Sequence, residues 1–330
     1  MKNKQLIALV VAGMVFVFVC SSSVLVNTLS KRFESSLKLN SFSHSGNVLP
    51  STPHIGVVKV EGTIVDSSSS SSLFASEGYN HQNTLDLIED MKNSSSNKGI
   101  ILYVNSPGGS VSASDELYLK LKEYTEETGR PIWTYMADQA CSGGYYISMA
   151  SQKIYANRNT WTGSIGVLIS LMNYKDLYEK IGIKGIYFTS GKNKAMGAGD
   201  LDLTEEQQEI FQSLVDESYE QFVEIVAEGR NMTVSDVKKI ADGRVYSAKQ
   251  ALDKKLIDEI ATYEDMKEAF SEELGDVEIY TPESNNIFNL SSLFGYISKI
   301  KPRSDAEMLI EFMDKNGSGV PMYYAKPGVF

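Results

Sequence analysis

The chain is poor in histidine, and this narrows the enzyme chemistry that it can carry. Its 330 residues include three histidines, and none of them follows His81. Serine hydrolases usually activate their nucleophile with a histidine base. A serine enzyme whose active site is built from the later part of this chain must therefore take its base from another kind of side chain.

Cysteine and positive charge are also scarce. The two cysteines, Cys20 in an apolar segment and Cys141 far from it, provide no disulfide framework. A formal net charge of −11, with no basic patch and no zinc-ligand spacing, argues against a nucleic-acid partner. The composition, 42% hydrophobic and 22% charged, is that of a globular protein. We expect no metal, no cofactor and no nucleic-acid partner.

The N-terminal region has the pattern of a membrane segment. Two lysines among the first four residues precede an uncharged stretch over 5–30, whose core over 6–19 is apolar. At about 1.5 Å per residue, a helix of this length could cross a bilayer core of about 30 Å. Residues 1–30 are therefore predicted to form a cytoplasmic stub and a single anchor in the cell membrane, with the rest of the chain outside. A cleaved signal peptide is the alternative, because Ser21 and Ser23 suit a cleavage site.

The remaining chain divides into a stalk over 31–53, a folded domain over 54–272 and a C-terminal extension over 273–330. In the folded domain, strand-like apolar runs alternate with helical patterns. This alternation predicts an α/β core, with helices covering a mostly parallel sheet. The expected strands are 55–60, 99–104, 132–136, 154–156 and 186–189, and the expected helices are 84–91, about 112–128, one starting at 142, and 204–228.

Ser142 is the best candidate nucleophile, since it lies in a run of small residues. Gly143 and Gly144 behind it would let the backbone approach a substrate carbonyl closely. With histidine absent downstream, a lysine is the remaining base, because burial lowers the pKa of an amine enough for it to take a proton near neutral pH. Lys194 and Lys192 are both candidates at this point.

Two other glycine- or serine-bearing loops are candidates for supporting roles. Gly108 and Gly109 follow an expected strand and precede a helix, so their backbone N–H groups could donate to an oxyanion. Ser164 could orient the lysine amine. The structural alternatives are a plain turn for the glycines, a turn serine for Ser164, and a helix N-cap for Ser142. Cys141 is expected to be a small packing residue.

Several motifs together resemble those of the SppA-type signal peptide peptidases, in their short, single-unit form. The similarity spans residues 54–265. The segments that carry it are 104–109 (VNSPGG), 142–146 (SGGYY), 162–166 (TGSIG), 190–194 (SGKNK) and 241–252 (ADGRVYSAKQAL). The resemblance implies a fold similar to the ClpP and crotonase cores, built from repeated β-β-α units. It makes residues 54–272 a Ser-Lys peptidase domain.

The same resemblance implies roles for individual residues. It makes Ser142 the nucleophile, Lys194 the general base, Ser164 the partner of the lysine and Gly109 an oxyanion donor. The implied activity is endopeptidase cleavage of remnant signal peptides without a metal or cofactor. Short members form dome-shaped octameric rings in which serine and lysine come from neighbouring subunits. This chain departs from the family pattern at Ala195, where an acidic residue is frequent, and over 197–200.

Other functions remain open at the level of sequence. One is another ClpP-class Ser-Lys protease that cuts a membrane-protein partner, and another is an inactive scaffold on the same fold. A crotonase-like acyl-CoA enzyme would share the fold, but a domain outside the membrane has little access to CoA. The C-terminal tail, which contains residues 322–325, is a candidate regulator beside the active-site groove.

Overall fold

Short strands and helices alternate along the chain in a computed structural model that describes residues 49–66, 79–282 and 322–324. The strands are β1 His54–Glu61, β2 Asn97–Ser106, β3 Gly108–Ser110, β4 Ile132–Cys141, β5 Lys153–Ala156, β6 Trp161–Gly163, β7 Val245–Ser247, β8 Glu259–Ile260, β9 Glu278–Tyr280 and β10 Met322–Tyr324. The helices are α1 His81–Asn93, α2 Val111–Thr128, α3 Gly143–Ser148, α4 Lys175–Ile181, α5 Glu205–Gly229, α6 Val234–Lys238, α7 Ala248–Asp253 and α8 Tyr263–Glu273.

Eight of these strands form one sheet. Its order is β7-β6-β4-β2-β1-β9, with β5 paired to β4 and β8 paired to β5. All of its pairs are parallel except β6 with β7. The predicted α/β core with a mostly parallel sheet is confirmed. β3 and β10 form a separate antiparallel pair, and β2-β3-α2 is one unit of the expected β-β-α kind.

Both faces of the large sheet are buried, as is usual for parallel sheets. Along β1 the side chains alternate between two clusters, with Val58 and Val60 on one face and Ile55 and Val57 on the other. The first face packs against α1, α2, α3 and α5. The second packs against α8, where the ring of Trp133 stacks on a helix phenylalanine at 4.5 Å between centroids.

Local sequence signals define most of the helix ends. Ser110 caps α2 by accepting a hydrogen bond from the Ala113 N–H, and α2 ends at Gly129, which is left-handed with φ of 68°. Thr204 and Gln207 form a capping box at the start of α5. The helix predicted over 204–228 is thereby confirmed.

The strand predicted over 186–189 is wrong. These residues form no strand and are exposed, and the side chain of Phe188 is 97% exposed. An apolar run becomes a strand only where a neighbouring strand offers hydrogen-bonding groups, and none does so here among the described residues. The sheet also continues past 272, since Glu278–Tyr280 pairs with the edge of β1.

Residues 166–204 form what we call the arm, which joins the sheet to α5. No side chain of the arm is buried. Internal polar contacts hold its shape, including a hydrogen bond from the Tyr187 hydroxyl to Asp200 and an ion pair between Lys175 and Asp202. The arm therefore has no hydrophobic core of its own.

The segment predicted as a membrane anchor, residues 1–30, lies outside the described residues. Among the residues that are described, no helix combines the length and the apolar character needed to cross a bilayer.

Candidate active site

Ser142 lies at the turn between β4 and α3, in a conformation that costs energy. Its φ is 52° and its ψ is −114°, a combination that is unfavourable for an L-residue with a side chain. The backbone is held from both sides, because its N–H donates to the Gly163 carbonyl at 2.8 Å and its carbonyl accepts from the Tyr146 N–H at 2.8 Å. The surroundings thus keep the serine in a strained geometry.

The hydroxyl of Ser142 does not cap helix α3. Ser142 occupies the N-cap position of α3, but its side chain makes no capping hydrogen bond. A serine that acts as a cap usually has an extended backbone and bonds the helix N–H groups, as Ser110 does in α2. Strain of this kind concentrates at functional sites. The hydroxyl is therefore available for chemistry at a buried position, 1% exposed.

Gly109 lies against the turn that carries Ser142. On one side of β3, the Ile64 N–H donates to Gly108 and the Ser110 N–H donates to Ile64, both at 2.9 Å. Because successive peptide groups in a strand point to opposite sides, the N–H of Gly109 faces the other way. A Cβ added at Gly143 would lie 3.1 Å from the Gly109 nitrogen. The expected oxyanion donor and the turn of the candidate nucleophile are therefore neighbours.

Two buried serines support this arrangement, and sequence reasoning missed both. The Ser106 hydroxyl accepts a hydrogen bond from the Gly108 N–H at 3.1 Å and so holds the turn that leads into β3. Ser114 on α2 places its hydroxyl where a Cβ at Gly143 would overlap it, and this hydroxyl has no hydrogen-bond partner among the described residues. The Asn-Ser-Pro-Gly-Gly run contained a signal for Ser106, because serine often closes such turns.

Ser164 follows β6 and is brought close to the nucleophile turn. It is buried, with φ of 50°, and its N–H donates to the Arg244 carbonyl at 2.8 Å. The preceding residue, Gly163, accepts the hydrogen bond from the Ser142 N–H. The assignment of Ser164 as the partner of a lysine stays a prediction.

Lys194 makes no hydrogen bond to Ser142 among the described residues. It lies on the arm and is exposed, whereas Ser142 is buried. The alternative base, Lys192, forms an ion pair with Glu206 at the start of α5 at 2.8 Å. In the part of the chain that the structure describes, Lys194 has no such ion pair. Of the two candidate bases, Lys194 is the one whose amine is not engaged by a carboxylate.

Cys141 is a packing residue, as expected. Its side chain is buried, and its thiol donates to the Trp161 carbonyl at 3.4 Å. Burial raises the pKa of the thiol to about 12. The thiol therefore stays protonated at neutral pH and is a poor nucleophile.

The C-terminal strand β10 pairs with the strand that contains Gly109. Tyr323 lies opposite Gly109 in an antiparallel register, and Met322 exchanges two backbone hydrogen bonds with Leu168 at 3.0 and 3.2 Å. An extended segment thus lies between β3 and the start of the arm, as a peptide does when it adds a strand to a sheet edge. The tail strand therefore lies beside Gly109, and its regulatory role stays a prediction.

Comparison with known proteins decides the family. A model of peptidase family S49 matches residues 125–277, and a model of Clp protease matches residues 71–162. A protein of Enterococcus faecium, provisionally named signal peptide peptidase SppA, is 36% identical over 277 residues, which are 81% of this chain and 79% of that protein. This chain belongs to peptidase family S49.

Other relatives extend the similarity. A provisionally named protease of Methanocaldococcus jannaschii is 35% identical over 218 residues, 64% of this chain and 69% of that protein. A ClpP1 mutant from Listeria monocytogenes aligns with a TM-score of 0.41 at 16% identity, covering 63% of this chain and 92% of that one. As an S49 member this protein is a serine peptidase of the SppA type, and the Clp protease match supports a ClpP-like α/β fold.

Gly143→Ala is expected to lower kcat for peptide cleavage by about 100-fold, because the new methyl group would overlap the Ser114 hydroxyl and displace the turn. Ser114→Ala removes the overlapping oxygen. The double variant with Gly143→Ala and Ser114→Ala should therefore have a kcat roughly tenfold higher than that of Gly143→Ala alone. Steady-state kinetics on a fluorogenic peptide measures both effects. Ser114→Ala alone is the control, and purely additive effects would show that the overlap is not the cause.

Proposed function

We propose that this protein is a membrane-anchored Ser-Lys endopeptidase that degrades remnant signal peptides at the outer face of the cell membrane. The observation that carries the proposal is the turn at Ser142. Its hydroxyl is unused by the helix, its backbone is strained, and the N–H of Gly109 lies beside it. These are the parts that acyl transfer requires, a nucleophile and an oxyanion donor.

In the proposed mechanism Ser142 Oγ attacks the peptide carbonyl while the neutral amine of Lys194 takes the hydroxyl proton. The oxyanion is stabilised by the N–H groups of Gly109 and Gly143. Lys194 then gives the proton to the departing amine, and an acyl-enzyme remains on Ser142. Water attacks this ester, with Lys194 as base and Ser164 orienting its amine. Ser142, Lys194 and the attacking water account for every proton transfer.

A second copy of the chain is proposed to complete the site. Lys194 is exposed in the single chain, and a base role requires an unprotonated amine, which burial favours. The arm that carries it exposes the apolar side chains of Ile183, Ile186 and Phe188, a pattern typical of an interface. We propose that the arm docks on a neighbouring copy in an octameric ring and delivers Lys194 to the Ser142 of that neighbour.

Signal peptides suit the edge of β3 as substrates. An extended peptide can pair with this edge in the way that β10 does. The choice of remnant signal peptides follows from the similarity to the Enterococcus faecium protein named for that activity. The alternative is a ClpP-class protease that cuts a membrane-protein partner.

Covalent labelling tests the proposal directly. A peptide fluorophosphonate of signal-peptide sequence should modify Ser142, and peptide mapping by mass spectrometry locates the adduct. Cleavage of released signal peptides is then compared with cleavage of intact membrane proteins by the same preparation. An unlabelled Ser142 would indicate an inactive scaffold. Preferential cleavage of membrane proteins would favour the alternative protease.

Removing the C-terminal tail is expected to increase activity, because β10 occupies the edge that a peptide substrate would use. A chain lacking residues 300–330 should cleave a dilute fluorogenic peptide several-fold faster and bind a peptide aldehyde more tightly. Tyr323→Pro in the full chain should act in the same direction, since proline cannot donate to the strand pair. Unchanged activity and inhibitor affinity in both proteins would contradict a regulatory tail.

A further inference from the structure

Helix α5 is fixed to the core at one end only. Its buried side chains are Phe222, Val223, Val226 and Ala227, and none of residues 205–221 is buried. At its start the helix holds the arm, through a hydrogen bond from Gln207 to Asn193 at 3.2 Å. Asn193 directly precedes the candidate base. Helix α5 therefore connects the core, at its C-terminal end, with the segment that carries Lys194, at its N-terminal end. We call residues 205–221 of this helix the lever.

A hydrogen-bonded network lies where this lever meets the core. The Tyr146 hydroxyl on α3 donates to Asp115 on α2 at 2.6 Å, and Gln221 on α5 donates to both of them, at 2.8 Å to the tyrosine and 3.0 Å to the aspartate. The ring of Tyr146 is buried and meets Phe222 edge to face at 5.0 Å. Three helices therefore meet at one tyrosine hydroxyl.

Tyr146 also belongs to the nucleophile turn. Its backbone N–H donates to the carbonyl of Ser142 at 2.8 Å. Tyr146 therefore contacts the Ser142 turn through its backbone N–H, and it contacts helix α5 through its hydroxyl and its ring. This dual attachment distinguishes the network from an ordinary surface contact between helices.

We infer that Tyr146, Asp115 and Gln221 are positioning residues that set the angle between the α5 lever and the turn of Ser142. This inference rests on the proposed function of Lys194. In the proposed ring the lever carries Lys194 to a neighbouring copy, and the network sets the angle at which it leaves its own core.

The length of the lever makes this angle important. Glu205 and Gln221 are separated by about 24 Å along the helix axis. A tilt of about 5° at the network would move the far end of the helix by roughly 2 Å. A misplacement of about 1 Å in a catalytic group can cost 100-fold in rate. Removing one hydrogen bond from the network of Tyr146, Asp115 and Gln221 is therefore expected to affect kcat more than the free energy of unfolding.

The test uses Tyr146→Phe, which keeps the ring and its backbone hydrogen bond and removes only the hydroxyl. In the full-length assembled protein, kcat is expected to fall about tenfold while KM stays within about twofold. Gln221→Leu, on the exposed side of the network, should likewise lower kcat and leave KM within about twofold. Asp115→Leu should also lower kcat, and Asp115→Asn, which keeps an acceptor for both donors, should recover most of that loss.

The matched control is Gln212→Leu, which removes a hydrogen bond to Asp216 within the exposed half of the same helix. It is expected to leave kcat unchanged. Wild-type kcat in Tyr146→Phe and Gln221→Leu would overturn the inference, as would an equal loss in the Gln212 control. Full activity of Lys194→Ala would instead overturn the proposed function, so the two failures are distinguishable.

Discussion

Lys194→Ala and Ser142→Ala are each expected to lower cleavage of a synthetic signal peptide on the order of 10⁴-fold, because a nucleophile and its base act as one unit. Neither change should alter folding greatly, since Lys194 is exposed and the Ser142 hydroxyl makes no capping bond. Lys184→Ala, another exposed lysine of the arm, is the control. Lys192→Ala decides between the two candidate bases, and a loss confined to Lys192 would overturn the assignment.

Mixing the two inactive variants tests whether the site is shared. A chain with Ser142→Ala keeps its lysine, and a chain with Lys194→Ala keeps its serine. In randomly mixed rings, about a quarter of the sites would combine both intact residues, if each site takes one residue from each neighbour. Recovery of activity after co-refolding, measured against each variant refolded alone, would support the shared site. Mixed rings without activity would place both residues in one chain.

Gly109→Ala is expected to lower kcat by about 10²- to 10³-fold, the usual loss when one oxyanion donor is removed. A Cβ at this position would overlap the Ile64 carbonyl oxygen and lie 2.5 Å from its carbonyl carbon. Because these are backbone atoms, β3 itself must shift, and the N–H of Gly109 shifts with it. Steady-state kinetics and thermal unfolding should be measured on the same preparation.

The control for this variant is Gly275→Ala, which replaces an exposed glycine in the turn between α8 and β9. Gly275 has φ of 87°, and a Cβ there would meet no atom within 4 Å. It should lower the free energy of unfolding through backbone strain and leave kcat unchanged. Wild-type kcat in Gly109→Ala would show that this N–H does not hold the oxyanion.

The architecture was largely predictable because its strongest signals are local. The run over 99–104 is apolar without alternation, as expected for a strand buried on both faces, and Thr204 marks the start of α5. The run over 186–189 has the same apolar character but no partner strand. Glu278–Tyr280 is too short to show a period, yet it pairs with β1. Pairing depends on what lies alongside, and a single run of residues does not contain that information.

The candidate site was likewise predictable only where its signals are local in the sequence. Small residues around Ser142 and the lack of histidine were visible in the sequence. The Ser114 hydroxyl, which has no hydrogen-bond partner among the described residues, lies close to Gly143 because α2 and α3 meet in space. The ion pair between Lys192 and Glu206 likewise depends on how the arm packs against α5, which the sequence alone does not show.

The absence of buried side chains over residues 166–221 has a consequence for the life of the enzyme. In the proposed assembly, a single chain carries a nucleophile and a base that do not meet. A newly made chain would then behave as a zymogen without a propeptide, inactive toward peptides until it assembles. Activity would begin when enough copies assemble, so local abundance would take the place of proteolytic activation.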